Sequence, residues 1–461
     1  MLQNTEYQAG PFIKWFWRTS NFNAVAYRRT LDYTGPARLL LIALRAGMFL
    51  QIVAALTLLI IWFDRGALGA WQFGLALLLS YPLIWAHLVV IPLALGRLFI
   101  IRPRERRHIR QSEKIFREHS AVRLAIAGSY GKTSMKELLL TVLSEGKKVA
   151  ATPANKNVPI SHAHFAKKLA GDEDIVIIEY GEGAPGDIAR FAKTTHPTHA
   201  VVTGIAPAHL DRYRTVQRAA ADIFSVGNFV EASQVYVNAE SPFTEDYLKV
   251  KAYQPYDQRG ALGWAVRDVN ITVNTTSFTL IKGNKELHLH SKLIGRHQIG
   301  PLSLAAALAE LFGLTSKQIE AGIAKTEPFE HRMQPYQLAG AWIIDDTYNG
   351  NIEGIRVGTG LLGELSADRK IYITPGLVDQ GKEHRHVHEE MGRLIAAARP
   401  DVVVLMQNST TPHIQRGLQA AGYTGELRLE DDPLDFYKNL ASFVAAGDIV
   451  LMQNDWTDNY A

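Results

Sequence analysis

Residues 122–143 read VRLAIAGSYGKTSMKELLLTVL. A short apolar strand ends at Gly128, and a helical pattern starts after Gly131. Between them lies Gly128-Ser129-Tyr130-Gly131-Lys132-Thr133-Ser134. Glycines in such a turn let backbone N–H groups approach phosphate oxygens closely. The start of the helix adds the positive end of its dipole. Lys132 would neutralise β- and γ-phosphate charge, and the Thr133 hydroxyl would ligate Mg²⁺. The spacing GxxGK[ST] is shorter than the common phosphate-loop pattern. The placement between strand and helix makes nucleotide binding the expected role.

Downstream, strand-like runs alternate with helical patterns. The runs are KVAATP, DIVIIEYG, HAVVTGI and QVYVNAE, then WIIDDTYN, KIYITPG, DVVVLMQ and DIVLMQND. Short apolar strands separated by helices imply parallel sheets. A β-rich patch near residues 261–294 is expected to separate two such series, with a domain boundary near Arg332. The fold class is therefore α/β, with two domains after the phosphate-loop strand begins.

Upstream the chain changes character. Residues 71–96, WQFGLALLLSYPLIWAHLVVIPLALG, carry no Asp, Glu, Lys or Arg. At about 1.5 Å per residue this run is long enough to cross a hydrocarbon core of about 30 Å. Ala46 to Phe63 is a second charge-free apolar run, and DRGALGA joins the two. The expectation is a two-helix transmembrane hairpin within residues 37–102, after a segment 1–36. Trp62 and Trp71 stand at the ends of the runs, where interfacial indoles are common. Arg97, Arg102, Arg104, Arg106, Arg107, Arg110, Lys114 and Arg117 follow the second run, and Lys14, Arg18, Arg28 and Arg29 precede the first. The positive-inside rule puts both flanks in the cytoplasm, and the basic stretch suits anionic lipid. The late start of the apolar run argues against a cleaved signal peptide.

Composition closes off other classes. The chain has 461 residues, 47% of them hydrophobic, so it can bury a large core and is not wholly disordered. It has no cysteine, which excludes disulfides, thiolate zinc sites, iron–sulfur clusters and cysteine nucleophiles. A net charge of +4 is too small to argue for nucleic acid as a partner.

Several further segments, taken in order, resemble the Mur ligase family, and nearest its MurF branch. They are the phosphate loop itself; Thr152 to Pro159, with Asn155 and Asn157; Glu179-Tyr180-Gly181, then Gly186-Asp187-Ile188; and Val202 to Leu210, with His209. Gly295 to Gln298 before an Ala-rich helix, Arg332, and Asp345-Asp346-Thr347-Tyr348-Asn349-Gly350-Asn351 complete the series. The resemblance implies a phosphate-loop central domain over 103–330 and a Rossmann-like C-terminal domain over 331–461. It implies ATP-driven amide-bond formation with Mg²⁺: a carboxylate attacks the γ-phosphate, and an amine displaces phosphate from the acyl phosphate. Lys132, Glu179, His209 and Arg332 would be catalytic, and Thr133, Glu179 and His209 would hold metal. Gly128 to Ser134, Gln298, Arg332, Asp346 and Asn349 would contact ATP, and Asn155 and Asn157 the substrate. The implied partners are a muramyl-peptide or lipid-linked precursor, a D-Ala-D-Ala-like amine and the bilayer, at the cytoplasmic face of the bacterial inner membrane.

The sequence departs from the family at three places. Many members carry a lysine after the His-Leu segment that becomes carbamylated and helps bind Mg²⁺. Here no lysine occurs between Lys193 and Lys249, so two alternatives stay open: Asp222 supplies the negative charge, or the second metal site is weaker. Gln298 stands where an Asn is usual. The membrane hairpin stands where MurF relatives have a UDP-sugar-binding domain. Two other readings stay open: a relative making a poly-γ-glutamate-type or lipid-linked amide, and a non-catalytic nucleotide-binding scaffold. His384, His386 and His388 have the look of a metal cluster, but a solvated loop or helix start is expected there.

Overall fold

The computed structural model describes residues 9–19, 33–65, 69–153, 157–206, 210–348, 350–378, 380 and 383–454. The chain divides into two compact units, Met1–His108 and Ile109–Ala461.

In the first unit the apolar runs form helices Gly35–Arg65 and Ala70–Leu88. The run upstream of Arg45 belongs to the first of these, so that helix is longer than its charge-free core. The helices lie antiparallel, and small residues let them approach closely. A Cβ on Gly74 would meet the Ala55 carbonyl oxygen, and one on Gly47 would overlap the Trp85 ring. Gln51, the polar residue at their contact, is satisfied: it accepts from Trp85 Nε1 (2.6 Å) and donates to the Leu77 carbonyl (2.9 Å). Trp62 and Trp71 pair at the turn end, ring centroids 6.2 Å apart. Helical structure continues from Leu88 through a π-turn at Arg97–Ile101 into the basic helix Arg102–Glu118.

The second unit holds two sheets. The first comprises β1 (Val122–Ala127), β2 (Val149–Ala151), β3 (Ile175–Glu179), β4 (His199–Val202), β5 (Val235–Asn238), β6 (Gln254–Asp257), β7 (Gly260–Ala261), β8 (Trp264–Ile271), β9 (Thr276–Lys282) and β10 (Lys285–Ser291). Their order is β10-β9-β8-β7-β6-β5-β4-β1-β3-β2, parallel from β2 to β6 and antiparallel beyond. The β-rich patch stands in the chain between the two series of strands and belongs to the first sheet. It extends the first sheet by tight antiparallel turns, which need no crossover helix. Leu124 and Ile126 face one apolar layer, with Leu139 and Leu302; Ala125 and Ala127 face the other, with Phe191 and Ile223. That alternation is the strand period of two.

The second sheet comprises β11 (Gln334–Leu338), β12 (Ala341–Asp346), β13 (Arg369–Thr374), β14 (Val402–Met406), β15 (Glu426–Glu430) and β16 (Asp448–Gln453). Its order is β11-β12-β16-β13-β14-β15, with only β11 antiparallel. Apolar layers cover both faces. Ile294 and Met333 pack into this second core, and Arg296 pairs with Glu364 at 2.9 Å, so the two sheets share side chains.

Candidate active site

In the first sheet β1 lies between β3 and β4, while the chain leaves β1 to form β2 at the edge. Such a reversal opens a crevice at the carboxyl ends of the strands, where α/β sheets bind ligands. The phosphate loop leaves β1 there. Gly128 has φ +149° and Gly131 φ +76°, both in the region that favours glycine. Gly131 caps the helix Lys132–Leu143, whose first N–H groups face the loop. Ser129 N–H donates to the Gly204 carbonyl (2.7 Å), which ties the loop to the end of β4.

Lys132 Nζ donates to the Gly128 carbonyl (2.6 Å) and to Glu182 Oε2 (2.7 Å). Thr133 Oγ1 donates to Glu179 Oε1 at 3.0 Å, and Asn157 Nδ2 reaches the same oxygen at 3.4 Å. Glu179 Oε2 is buried, accepts no hydrogen bond from the described residues, and faces Lys136 Nζ at 3.3 Å. Below the strand end, His162 Nε2 bonds the Glu179 carbonyl (2.9 Å), and burial holds this imidazole down to about pKa 4. A neutral ring fits a donor to a carbonyl. The oxygen donors of Thr133 and Glu179 suit Mg²⁺, which prefers hard ligands. The observation that supports the fit is the donor set itself, with Thr133 Oγ1 and Glu179 Oε1 held 3.0 Å apart at the start of the helix.

The other expected residues fall as follows. Asn155, His209 and Asn349 lie outside the described residues. Ser134 continues the phosphate-loop helix. Tyr130 packs over Gly204, and burial, with Glu240 and Glu353 nearby, raises its hydroxyl pKa. Gln298 ends the turn Arg296–Gln298, its amide against His297 Nε2 at 2.9 Å. Arg332 stacks over the Tyr348 ring at 4.3 Å, between two non-glycine residues with positive φ, His331 and Met333. Asp345 accepts from His331 Nδ1 (2.7 Å) and from Thr347. Asp346 accepts from Gln453 Nε2 (2.8 Å) and Met333 N–H (3.3 Å). Asn351 caps the helix Ile352–Glu364. These acids form a bonded strand end on the C-terminal sheet.

Asp222 is committed to the protein. Its carboxylate accepts from Gly186 N–H (2.7 Å) and Tyr213 Oη (2.9 Å), and Tyr213 in turn bonds the Ala184 carbonyl (3.1 Å). The pair fixes the loop after β3. His384 begins the helix His384–Ala397. His388 is buried, accepting from Leu377 N–H (3.0 Å) and bonded to the His384 carbonyl (2.6 Å). Among the described residues no group of three His, Cys, Asp or Glu side chains is placed to hold a metal. The sequence reading missed Glu182, Lys136 and His162. Lys136 was detectable: it lies three residues after Thr133, on the face that buries Leu139 and Leu143.

Two family descriptions match this architecture: the Mur ligase middle domain over residues 126–309, and the Mur ligase glutamate ligase domain over residues 331–453. The chain carries the Mur ligase middle and C-terminal domains. Among curated relatives, it is 28% identical over 289 residues to the UDP-N-acetylmuramoyl-tripeptide–D-alanyl-D-alanine ligase of Escherichia coli, covering 61% of this chain and 63% of that one. It is 28% identical over 291 residues to the enzyme of that name from Mycobacterium tuberculosis, covering 60% and 56%. The chain thus spans less than two thirds of the length of either relative. Two solved structures share the Mur ligase fold. MurF from Acinetobacter baumannii aligns with a TM-score of 0.65 at 18% identity, over 76% of this chain and 77% of that one. MurF from Thermotoga maritima in complex with ADP gives 0.65 at 20% identity, over 76% and 80%.

Proposed function

We propose that this protein is a membrane-anchored, ATP-dependent amide-bond ligase of the MurF type, acting in peptidoglycan precursor synthesis. The observation that carries the reading is the cluster of Lys132, Thr133 and Glu179 at the carboxyl ends of β1 and β3, in a chain with both Mur ligase domains. The carboxylate of a muramyl peptide attacks the γ-phosphate of ATP, giving an acyl phosphate and ADP. The amine of a D-Ala-D-Ala-like donor then displaces phosphate. Both steps build negative charge, which Lys132 and the loop N–H groups stabilise. Thr133 and Glu179, with His209, would hold Mg²⁺, which when bound offsets phosphate charge. Arg332, Asp346 and Asn349 serve the nucleotide from the C-terminal domain, Gln298 reads adenine, and Asn155 and Asn157 meet the substrate. The division at residues 36, 102 and 330 separates an N-terminal segment, the anchor and the two ligase domains. The hairpin holds the ligase domains at the cytoplasmic membrane face.

Phosphate release from ATP tests this, using full-length protein in detergent with UDP-MurNAc-tripeptide, with and without D-Ala-D-Ala. Release is expected only with both substrates, and is lost in Lys132→Ala. Nucleotide binding without turnover would move the acceptor to a lipid-linked carboxylate. Nucleotide binding without turnover, whichever candidate acceptor is supplied, would leave a scaffold.

A further inference from the structure

Glu182 lies three residues beyond Glu179, and its carboxylate sits on Lys132 Nζ at 2.7 Å. The two side chains are 6% and 10% exposed, so this is a buried ion pair. It occupies the one ammonium that a phosphate loop offers to the β- and γ-phosphates. The loop carrying Glu182 is not slack. Asp222 holds Gly186 N–H, Tyr213 holds the Ala184 carbonyl, and Arg212 Nη1 holds the Gly183 carbonyl at 3.1 Å. Asp187 Oδ2 accepts from Ala184 N–H at 2.8 Å. The carboxylate can therefore turn on its own side chain while its backbone stays fixed.

Arriving phosphate oxygens compete with Glu182 for Lys132. Once displaced, the carboxylate lies beside a polyanion in a partly desolvated crevice, where like charges repel strongly. A divalent cation removes that penalty, since a carboxylate is a hard oxygen ligand of the kind Mg²⁺ accepts. Resting on the ATP-site reading above, we propose that Glu182 makes nucleotide binding conditional on a divalent cation. It blocks Lys132 against metal-free nucleotide and turns to the metal of the metal–nucleotide complex.

The test is ADP binding by calorimetry to the full chain in detergent, once in EDTA and once in excess Mg²⁺. Glu182→Gln keeps the shape and removes the charge. It is expected to tighten metal-free ADP binding about tenfold, the scale of one lost competing charge at a partly buried site, and to shrink the Mg²⁺ enhancement by a similar factor. Glu182→Asp shortens the arm and keeps the charge; it is expected to tighten metal-free binding by a smaller factor. It carries the test if the Gln variant does not fold. Unchanged affinities in both buffers would overturn the proposal. Weaker binding in both buffers would do so too, by making Glu182 a support for the loop. Tighter metal-free binding with an unchanged Mg²⁺ enhancement would overturn the turn to the metal. Wild-type protein that binds ADP in neither buffer would instead remove the ATP-site reading.

Discussion

Lys136 has no exposed side-chain surface, and its ammonium faces Glu179 at 3.3 Å and Glu137 at 3.2 Å. Removing one partner of a buried pair leaves the other charge uncompensated, which typically costs about 3–5 kcal/mol. Lys136→Met is therefore expected to destabilise the protein by about 3 kcal/mol in denaturant titrations. Glu179→Gln should cost less, because Glu137 still serves the lysine. The double variant should fall well short of the sum, and simple additivity would show that the two groups do not interact. Asp346 gives a pH signature. Burial first, and Asp345 next, push its carboxyl from 3.8 up to about 6, against the bonds from Gln453 and Met333. The fold then favours the protonated form. The penalty is absent below about pH 4, grows as pH rises, and is complete above about pH 6. Asp346→Asn sets an amide N–H₂ against Gln453 Nε2, a cost that does not vary with pH. Its stability relative to wild type should improve by about 2–3 kcal/mol between pH 4 and pH 7.5. A flat difference across that range would show that Asp346 is not held up.

The helices His384–Ala397 and Thr411–Ala420 cross where Gly392 meets Gly417. A Cβ on Gly392 would run into the Ile414 carbonyl oxygen, and backbone cannot swing aside as a side chain can. Gly392→Ala should lower stability by at least about 1–3 kcal/mol, the usual cost of overpacking. A melting temperature within a degree of wild type would mean the crossing is looser than described. Neither glycine stood out in the sequence, because their contact joins segments 25 residues apart. The buried strands were legible. β3, β4, β14 and β16 each contain an apolar run (IVII, AVV, VVVLM and IVLM), and all their residues are buried. β15, written Glu426-Leu427-Arg428-Leu429-Glu430, was not: it is an edge strand, mostly exposed, which needs no apolar run. β6 and β11 each contain a proline and little apolar sequence, and were missed too; β11 is the other edge of its sheet, whereas β6 lies inside the first sheet between β5 and β7. At the site, the residues visible in the sequence were those with a motif around them. Glu182 belongs to no motif, and only folding sets it on Lys132.

The whole chain joins a ligase-type α/β unit to two long apolar helices, and the nature of that attachment is open to a direct test. Ile42, Phe49, Leu50, Phe73 and Leu79 are 64–72% exposed, and only 6% of the most apolar window of either helix is buried. A core helix pair would be mostly covered, and a monomer in water rarely leaves so large an apolar face bare. The basic helix Arg102–Glu118 suggests a second way to hold a membrane, through anionic headgroups. The two ways respond differently to salt. At 1 M ionic strength the screening length falls to about 3 Å, so attraction by headgroups is nearly abolished. Apolar burial is not weakened by salt. If the hairpin spans the bilayer, membranes from expressing cells should retain the protein through a 1 M NaCl wash, and only detergent should release it. Loss into the salt wash would leave the basic helix as the sole attachment, and the two apolar helices would then need a protein partner to cover them.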